Sequence, residues 1–341
     1  MYTHTALFKK YSGVFLVKKK TILNAYLFAV IILFFPFSGK ASVHFLATAD
    51  PQYDNGNSAV NQQANKTLLT MLASIKCNND IKGIIVAGDL TQNSRIYDEF
   101  SWYNNALSIQ NKVTGDVVDM SAYVYDGIGN HDKAEPTFMQ KTACFFKTAE
   151  CVNPEVIQNT LSSRVRLTPV LYREGIHYAW KWDDVVFVQL NLFPGDSNDN
   201  YGLSPQNSLT YLRNLLNNRV DKNKDRIVLI HHYGFDPFSQ TYWSDSQRKE
   251  YWNLIADYNV MGILTGHSHN NTGYTFYNAF TRPSGYTKGP ASIASFVCGG
   301  ACLGYYLDIT IDGNTMHVRQ RDNNGTQKKA VLVDNGVIYY R

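Results

Sequence analysis

Residues 81–89 read IKGIIVAGD, a short apolar run directly followed by a Gly-Asp pair. A run of this length and β-branched content is typical of a strand that is buried on both faces. Residues 43–49, VHFLATA, have the same texture and end at Asp50. Between the two runs, from Ser58 to Ile75, apolar residues recur at helical spacing. Strand, helix and strand in this order predict an α/β sandwich.

Three later apolar runs also end in polar residues. The runs 122–125, 226–230 and 260–264 lead to Gly129-Asn130-His131-Asp132, to His231-His232 and to Gly266-His267-Ser268-His269. The ends of strands in an open α/β sheet converge at one edge. We therefore expect these residues to meet Asp50, Gln52 and Asp89 there.

The expected cluster has the chemistry of a two-metal site. Carboxylate and amide oxygens suit hard cations, and imidazole suits Zn, Mn, Fe or Co. One carboxylate can bridge two ions, and a hydroxide can fill the other bridge and attack a phosphoryl group. Each block alone is also compatible with an ordinary turn, and a single histidine with a buried structural role. It is the five blocks in one chain that indicate a metal centre.

In their order and content, the blocks resemble the calcineurin-like metallophosphoesterase superfamily. Its pattern is Asp-x-His, Gly-Asp, Gly-Asn-His-Asp/Glu, His and Gly-His-x-His, and the blocks here extend from Asp50 to His269. The resemblance implies a four-layer α/β/β/α sandwich. It also implies metal-dependent hydrolysis of a phosphomonoester or phosphodiester, with two divalent ions (Mn, Fe, Zn or Mg) and a small phosphate ester or a lipid phosphate as substrate.

The resemblance further assigns roles to single residues. Asp89 would bridge the two ions. His131 would protonate the leaving oxygen or stabilise the transition state, and Asp132 would orient it. The remaining ligands would be Asp50, Gln52 and His269 for the first ion, and Asn130, His232 and His267 for the second.

Two positions depart from the usual pattern. Gln52 stands where the pattern has His, and its amide oxygen favours a harder metal such as Mn, Mg or Fe. At His231-His232 either ring could be the ligand. Since His232-Tyr233 resembles the His-Tyr-Pro form of related sequences, we expect His232 to bind metal. His231 and Tyr233 would then contact the substrate or a neighbouring ligand.

The N-terminal segment has the features of an export signal. Lys18-Lys19-Lys20 precedes the apolar run 22–37, and Ser38-Gly39-Lys40-Ala41 offers small residues for cleavage after Ala41. The segment 1–41 is therefore predicted to be a signal peptide, with an uncleaved anchor as the alternative. Residues 42–341 would be a single metallophosphoesterase domain with a β-rich C-terminal part. We expect the protein in the periplasm or secreted.

Charge and cysteine content fit this interpretation. Without the six lysines of residues 1–41, 26 basic and 28 acidic residues remain, so no basic nucleic-acid track is expected. In an oxidising compartment Cys144 could pair with Cys151, and Cys298 with Cys302, leaving Cys77 unpaired. The alternative is that all five are thiols.

Aromatic residues are dense just after the paired histidines. Between Tyr233 and Trp243, the side chains of Phe235, Phe238, Tyr242 and Trp243 could wall the pocket. Two other functions stay open. One is a lipid-directed phosphodiesterase or toxin, with membrane contact through the leader or the substrate. The other is a metal-binding module without turnover, which the presence of His131 disfavours.

Overall fold

The computed structural model describes residues 41–340, except for 111–113, 195–204, 270–274 and 336. These described residues belong to one compact unit. Residues 1–40 lie outside the described part, so the signal peptide and its cleavage after Ala41 stay predictions. Among the described residues, no helix is both long enough and apolar enough to cross a membrane.

The first sheet has seven strands. Its parallel part consists of β1 (Val43–Thr48), β2 (Ile81–Val86) and β5 (Val124–Asp126). The predicted third strand begins two residues later than expected, because residues 121–123 form a 3₁₀ turn. An antiparallel part continues the sheet on the other side of β1, in the order β13 (Tyr305–Asp312), β14 (Thr315–Asp322), β15 (Gln327–Asp334) and β16 (Val337–Tyr340).

The second sheet also has seven strands. They lie in the order β11 (Tyr277–Thr281), β12 (Ser292–Val297), β10 (Asn259–Thr265), β9 (Arg226–Ile230), β8 (Val185–Gln189), β7 (His177–Trp182) and β6 (Val170–Glu174). From β8 through β9 and β10 to β12 the pairing is parallel. β12 pairs in parallel with β10 and antiparallel with β11. A separate hairpin pairs β3 (Ser108–Gln110) with β4 (Val117–Asp119).

Helices cover the outer faces of both sheets. Side chains cap the first residues of several helices; for example, Asn57 accepts a hydrogen bond from the amide of Val60, and Ser244 accepts one from the amide of Gln247. The first sheet is covered by α1 (Ser58–Cys77), α2 (Ser101–Ala106) and α4 (Pro154–Ser163). The second sheet is covered by α5 (Pro205–Arg219) and α6 (Asp245–Ile255). The remaining helix, α3 (Phe138–Phe145), lies between α2 and α4 in the chain.

Alternation along the strands explains the four layers. In β1, Phe45 and Ala47 belong to the core between the two sheets, whereas Leu46 belongs to the core beneath α1. Large aromatic rings fill the space between the sheets, with Phe187 of β8 5.0 Å from Phe45 and 5.3 Å from Trp180. The molecule therefore has the predicted four-layer α/β/β/α architecture.

The cysteines bear out one of the two suggested pairs. Cys144 and Cys151 form a disulfide, which is compatible with an extracellular location. The suggested pairing of Cys298 with Cys302 is wrong, since both are free and buried thiols. Their side chains have different surroundings. Cys298 lies in the core between the sheets, and the sulfur of Cys302 faces Gln52 and His269.

Candidate metal centre

The predicted site residues follow strands from both sheets. Asp50 and Asp89 come after β1 and β2 of the first sheet, and His232 and His267 come after β9 and β10 of the second. Several of these turns have strained backbone. The φ angles of Asp50, Asp89 and His267 are 50°, 53° and 70°, a region that residues other than glycine rarely adopt. Such strain often accompanies functional sites.

Asp89 lies at the centre of the cluster. Its Oδ1 accepts a hydrogen bond from the backbone amide of His131 at 2.9 Å. Its Oδ2 lies 3.1 Å from Nε2 of His232 and accepts a bond from the Gln52 amide at 3.3 Å. Burial raises the pKa of Asp89, but the charge and hydrogen bond of His232 outweigh it and bring the pKa to about 2. Asp89 is therefore an ionised, buried carboxylate.

Asp50 presents a second buried carboxylate. Its Oδ1 accepts a hydrogen bond from the amide of His267 at 3.1 Å and lies 3.3 Å from Nε2 of His269. Burial lowers the pKa of His269, yet Asp50 more than compensates and raises it to about 11. Among the described residues, Oδ2 of Asp50 has no hydrogen-bond partner. A buried carboxylate oxygen without a donor is costly unless a cation faces it.

Two imidazoles complete the cluster. Nδ1 of His232 donates to the carbonyl of Ala87, while its Nε2 lies 3.1 Å from both Oδ2 of Asp89 and Oδ1 of Asn130. A proton on Nε2, or a cation bound at that point, satisfies these acceptors. Burial lowers the pKa of His267 to about 4, so its ring is neutral. Its Nε2 is buried and finds no partner in the described part of the chain.

These atoms fit divalent cations. Two groups offer ligand atoms that all lie within 4.8 Å of one another, one with Asp89, His232 and His267, the other with Asp50, Asp89 and His269. Asp89 belongs to both groups. Asn130 presents its amide oxygen to His232, whereas Gln52 contacts Asp89 through its side-chain nitrogen and has its oxygen near the Cys302 sulfur. The donor set of carboxylates, amides and imidazoles is the one expected for Mn, Fe, Zn or Mg.

Glycine at position 129 allows this close packing. A Cβ atom built on Gly129 would lie 2.0 Å from Oδ1 of Asp89, which no side chain tolerates. Gly88 has a φ of +93° and would bring a Cβ to 2.7 Å from the carbonyl of Ile128. Glycine is thus required where the turns after β2 and β5 touch each other.

The side chains of His131 and Asp132 have different hydrogen-bond partners. Nδ1 of His131 donates to the carbonyl of Gln92 at 2.9 Å. We expected Asp132 to orient this ring. Its carboxylate instead accepts bonds from the amides of Leu90, Thr91 and Gly129 and from the Thr91 hydroxyl, all at 2.8–2.9 Å. Asp132 therefore joins the turns after β2 and β5, and the ring of His131 is held by Gln92.

His231 and Tyr233 lie beside the cluster. His231 is fully buried, donates from Nδ1 to the carbonyl of Tyr233, and is surrounded by the rings of Phe235, Trp243 and Tyr251. Burial lowers its pKa to about 3. A substrate contact for His231, one of our expectations, does not fit this position. Tyr233 packs on His267, with ring centroids 4.3 Å apart.

Three neighbours of the site were missing from the sequence-based set. Thr91 and Gln92 hold Asp132 and His131, and their only signal in the sequence is that they follow Asp89. The third is Cys302, whose sulfur lies 3.9 Å from Nδ1 of His269 and 4.0 Å from Oε1 of Gln52. Nothing in its spacing pointed to the site. It arrives there on the 3₁₀ turn Ala301–Leu303 that precedes β13.

The sequence model of the calcineurin-like phosphoesterase family matches residues 43–271. The chain belongs to this family. Members of the calcineurin-like phosphoesterase family typically bind divalent metals, and the matched range contains all of the clustered residues described above except Cys302. Family membership indicates a phosphoesterase-type hydrolase acting on phosphate esters.

Two of the solved structures that match the chain have low sequence identity to it. One is GAP50, the anchor in the inner membrane complex of Plasmodium, with 11% identity, 85% of this chain and 88% of that chain covered, and a TM-score of 0.47. Another is a conserved uncharacterized protein, a predicted phosphoesterase from Streptococcus pneumoniae, with 9% identity, 88% and 99% covered, and a TM-score of 0.33. No curated protein sequence matches the chain.

Proposed function

We propose that this member of the family is an exported enzyme that hydrolyses a phosphomonoester or phosphodiester with two divalent cations. The main support is the position of Asp89, which belongs to both groups of possible ligands. The first cation would be held by Asp50, Gln52, Asp89 and His269, the second by Asp89, Asn130, His232 and His267. When bound, such a pair activates water and draws charge from the phosphoryl oxygens.

The protein's own residues would position and protonate the ester. His131 is fixed at Nδ1 by the Gln92 carbonyl, so Nε2 is the ring atom that can meet the leaving oxygen. A general acid of this kind must carry a proton at Nε2 before the bond to the leaving group breaks. Asp132 would act as a positioning residue, because its four accepted bonds fix the turn that carries His131.

Export is supported by two independent features. The first 41 residues have the composition of a signal peptide. The Cys144–Cys151 disulfide is of a kind that persists in oxidising compartments. Separation of the precursor and mature forms, with N-terminal sequencing of the exported protein, would locate the cleavage site that we place after Ala41.

Replacement of Asp89 by Asn tests the proposed activity. Because losing an outer partner of a metal ligand already costs about 10- to 100-fold, we expect the loss of the shared ligand to lower turnover of 4-nitrophenyl phosphate esters at least about 100-fold. Asp257→Asn is the matched control, since Asp257 forms an exposed pair with Lys288.

Metal content and the far-UV spectrum should be measured in the same samples. Wild-type turnover in a folded Asp89→Asn protein would exclude the shared-ligand role. A wild-type protein that holds two metal ions per chain but hydrolyses no ester of a broad panel would instead be a metal-binding module without turnover.

A further inference from the structure

The loop after β9 carries two kinds of aromatic side chain. Phe235 and Trp243 are 5% and 6% exposed, and their rings stack with centroids 5.0 Å apart. They anchor the loop in the core beneath the helices of the second sheet. Phe238 and Tyr242 are 44% and 40% exposed. Of the four rings that we expected to wall the pocket, only these two reach solvent.

Hydrogen bonds fix the loop without help from the exposed rings. Nε1 of Trp243 donates to the carbonyl of Gly234 at 3.1 Å. The buried carboxylate of Asp236 accepts bonds from the amides of Phe238 and Ser239, each at 3.1 Å. The turn is thus held by its own backbone and by buried groups. Phe238 and Tyr242 contact the rings of His267 and Tyr233, yet each keeps about two fifths of its surface exposed.

The exposed rings lie directly beside the proposed metal ligands. The ring of Phe238 is nearly parallel to the imidazole of His267, at 20° and with centroids 5.1 Å apart. The ring of Tyr242 stands at 79° to His267, 5.2 Å away, and at 81° to Phe238, 6.0 Å away. Two rings that are almost perpendicular form a corner at the rim of the cluster.

Such a corner recognises flat rings by their shape. Aromatic groups prefer offset stacking on one ring and edge-to-face contact with another, at centroid distances of about 4.5–7 Å. Phe238 already stacks on His267, so its exposed face and the neighbouring Tyr242 are the surfaces left for a bound ring. An alkyl group would bury apolar area there, but it would gain no stacking.

We propose that Phe238 and Tyr242 form a subsite that selects phosphate esters carrying a planar aromatic group, such as an aryl ring or a nucleobase. The proposal rests on the proposed function for the position of the phosphoryl group. It adds a substrate class to that function, which the metal cluster alone does not determine.

The test compares aryl and alkyl esters in variants of one ring. For wild type and for Phe238→Leu and Phe238→Trp, KM and kcat are measured with 4-nitrophenyl phosphate and glycerol 2-phosphate and with diester counterparts. For each ester, the KM and the kcat of the wild type are divided by those of the variant. The intrinsic reactivity of the leaving group then cancels. Tyr339→Ala is the control, since Tyr339 is a similarly exposed tyrosine on the edge strand β16.

Loss of one stacking contact should raise KM for the aryl ester about tenfold in Phe238→Leu. The ratio for the alkyl ester should stay within about twofold, and Phe238→Trp should restore wild-type KM, because a ring is again present. The subsite would be overturned if Phe238→Leu raised KM equally for both esters, or left KM for the aryl ester unchanged.

A binding experiment separates this proposal from the proposed function. Phenylphosphonate and ethylphosphonate, which are not hydrolysed, are titrated against the metal-loaded wild type and Phe238→Leu by calorimetry. The subsite predicts tighter binding of phenylphosphonate that is lost with the ring, even if no ester is turned over. Equal affinity of the two phosphonates for the wild type would refute the subsite while leaving hydrolysis untouched.

Discussion

His131 is the residue whose contacts suggest chemistry and not metal binding. Its backbone amide donates to Asp89, and its ring is oriented through Nδ1 by the Gln92 carbonyl. These contacts fix the orientation of the ring, and in our proposal Nε2 is the atom that donates a proton to the substrate. Its role should therefore appear in the rate of bond breaking and not in the binding of metal.

The substitution His131→Gln tests this role. We expect kcat to fall by about 10²- to 10⁴-fold, the usual contribution of a general acid, with the largest loss for esters whose leaving groups are poor. Rates should be measured for aryl esters that cover a range of leaving-group pKa, with metal content determined in parallel. His317→Gln, on β14, is the control. A loss that is the same for every leaving group would rule out proton donation.

The adjacent residues His231 and His232 show what the sequence could not decide. Successive side chains of an extended segment point to opposite sides, so one of two neighbours must face away from the site. His232 faces Asp89, whereas His231 faces the aromatic rings around Tyr251. Both follow the same apolar run, and only tertiary packing separates them. The resemblance to a His-Tyr form favoured His232, but the residue types alone were equivalent.

At the scale of elements, local patterns predicted the strands and their polar ends well. Buried parallel strands are continuous apolar runs, and β1, β2, β9 and β10 were all visible in this way. Partner choice was not visible. β13 pairs with β1 although Val43 and Ile311 lie 268 positions apart, and no local signal specifies such a contact. For the same reason Cys302, which is carried by the turn before β13, could not be placed beside His269.

Helix α3 differs from its neighbours in the chain in how little of it is buried. None of its side chains is buried, in contrast to those of α1 and α4. The disulfide joins it to Cys151, which is buried next to the start of α4. A helix of eight residues has little stability of its own. Its order should therefore depend on the disulfide.

We expect the double substitution Cys144→Ser and Cys151→Ser to loosen residues 137–149 without unfolding the rest. The measure is hydrogen exchange followed by peptide mass spectrometry, in which peptides from this segment should exchange at least about tenfold faster, since local opening is governed by local contacts. Cys77→Ser, at an exposed thiol, is the control. Uniform acceleration over the whole chain would show that the disulfide stabilises the fold globally.

At the scale of the whole molecule, the candidate centre joins the two sheets. Asp50 and Asp89 are carried by the first sheet, and His232, His267 and His269 by the second. Hydrogen bonds and ion pairs already cross this boundary, such as those between Asp50 and the histidines that follow β10. Bound cations would add coordination bonds between the same turns. They would stabilise the sandwich because the unfolded chain does not bring these residues together.

This link predicts a dependence of stability on divalent metal. At a Mn²⁺ concentration 100-fold above its Kd, binding should contribute about 2.7 kcal/mol, and for a chain of about 300 residues the melting temperature should then rise by about 4 °C over that in excess EDTA. Calorimetric scans of the mature chain would measure the shift. In Asp89→Asn this rise in melting temperature should largely disappear, because both ligand groups lose the carboxylate that they share. An equal increment in Asp89→Asn and wild type would place the stabilising cation elsewhere in the molecule.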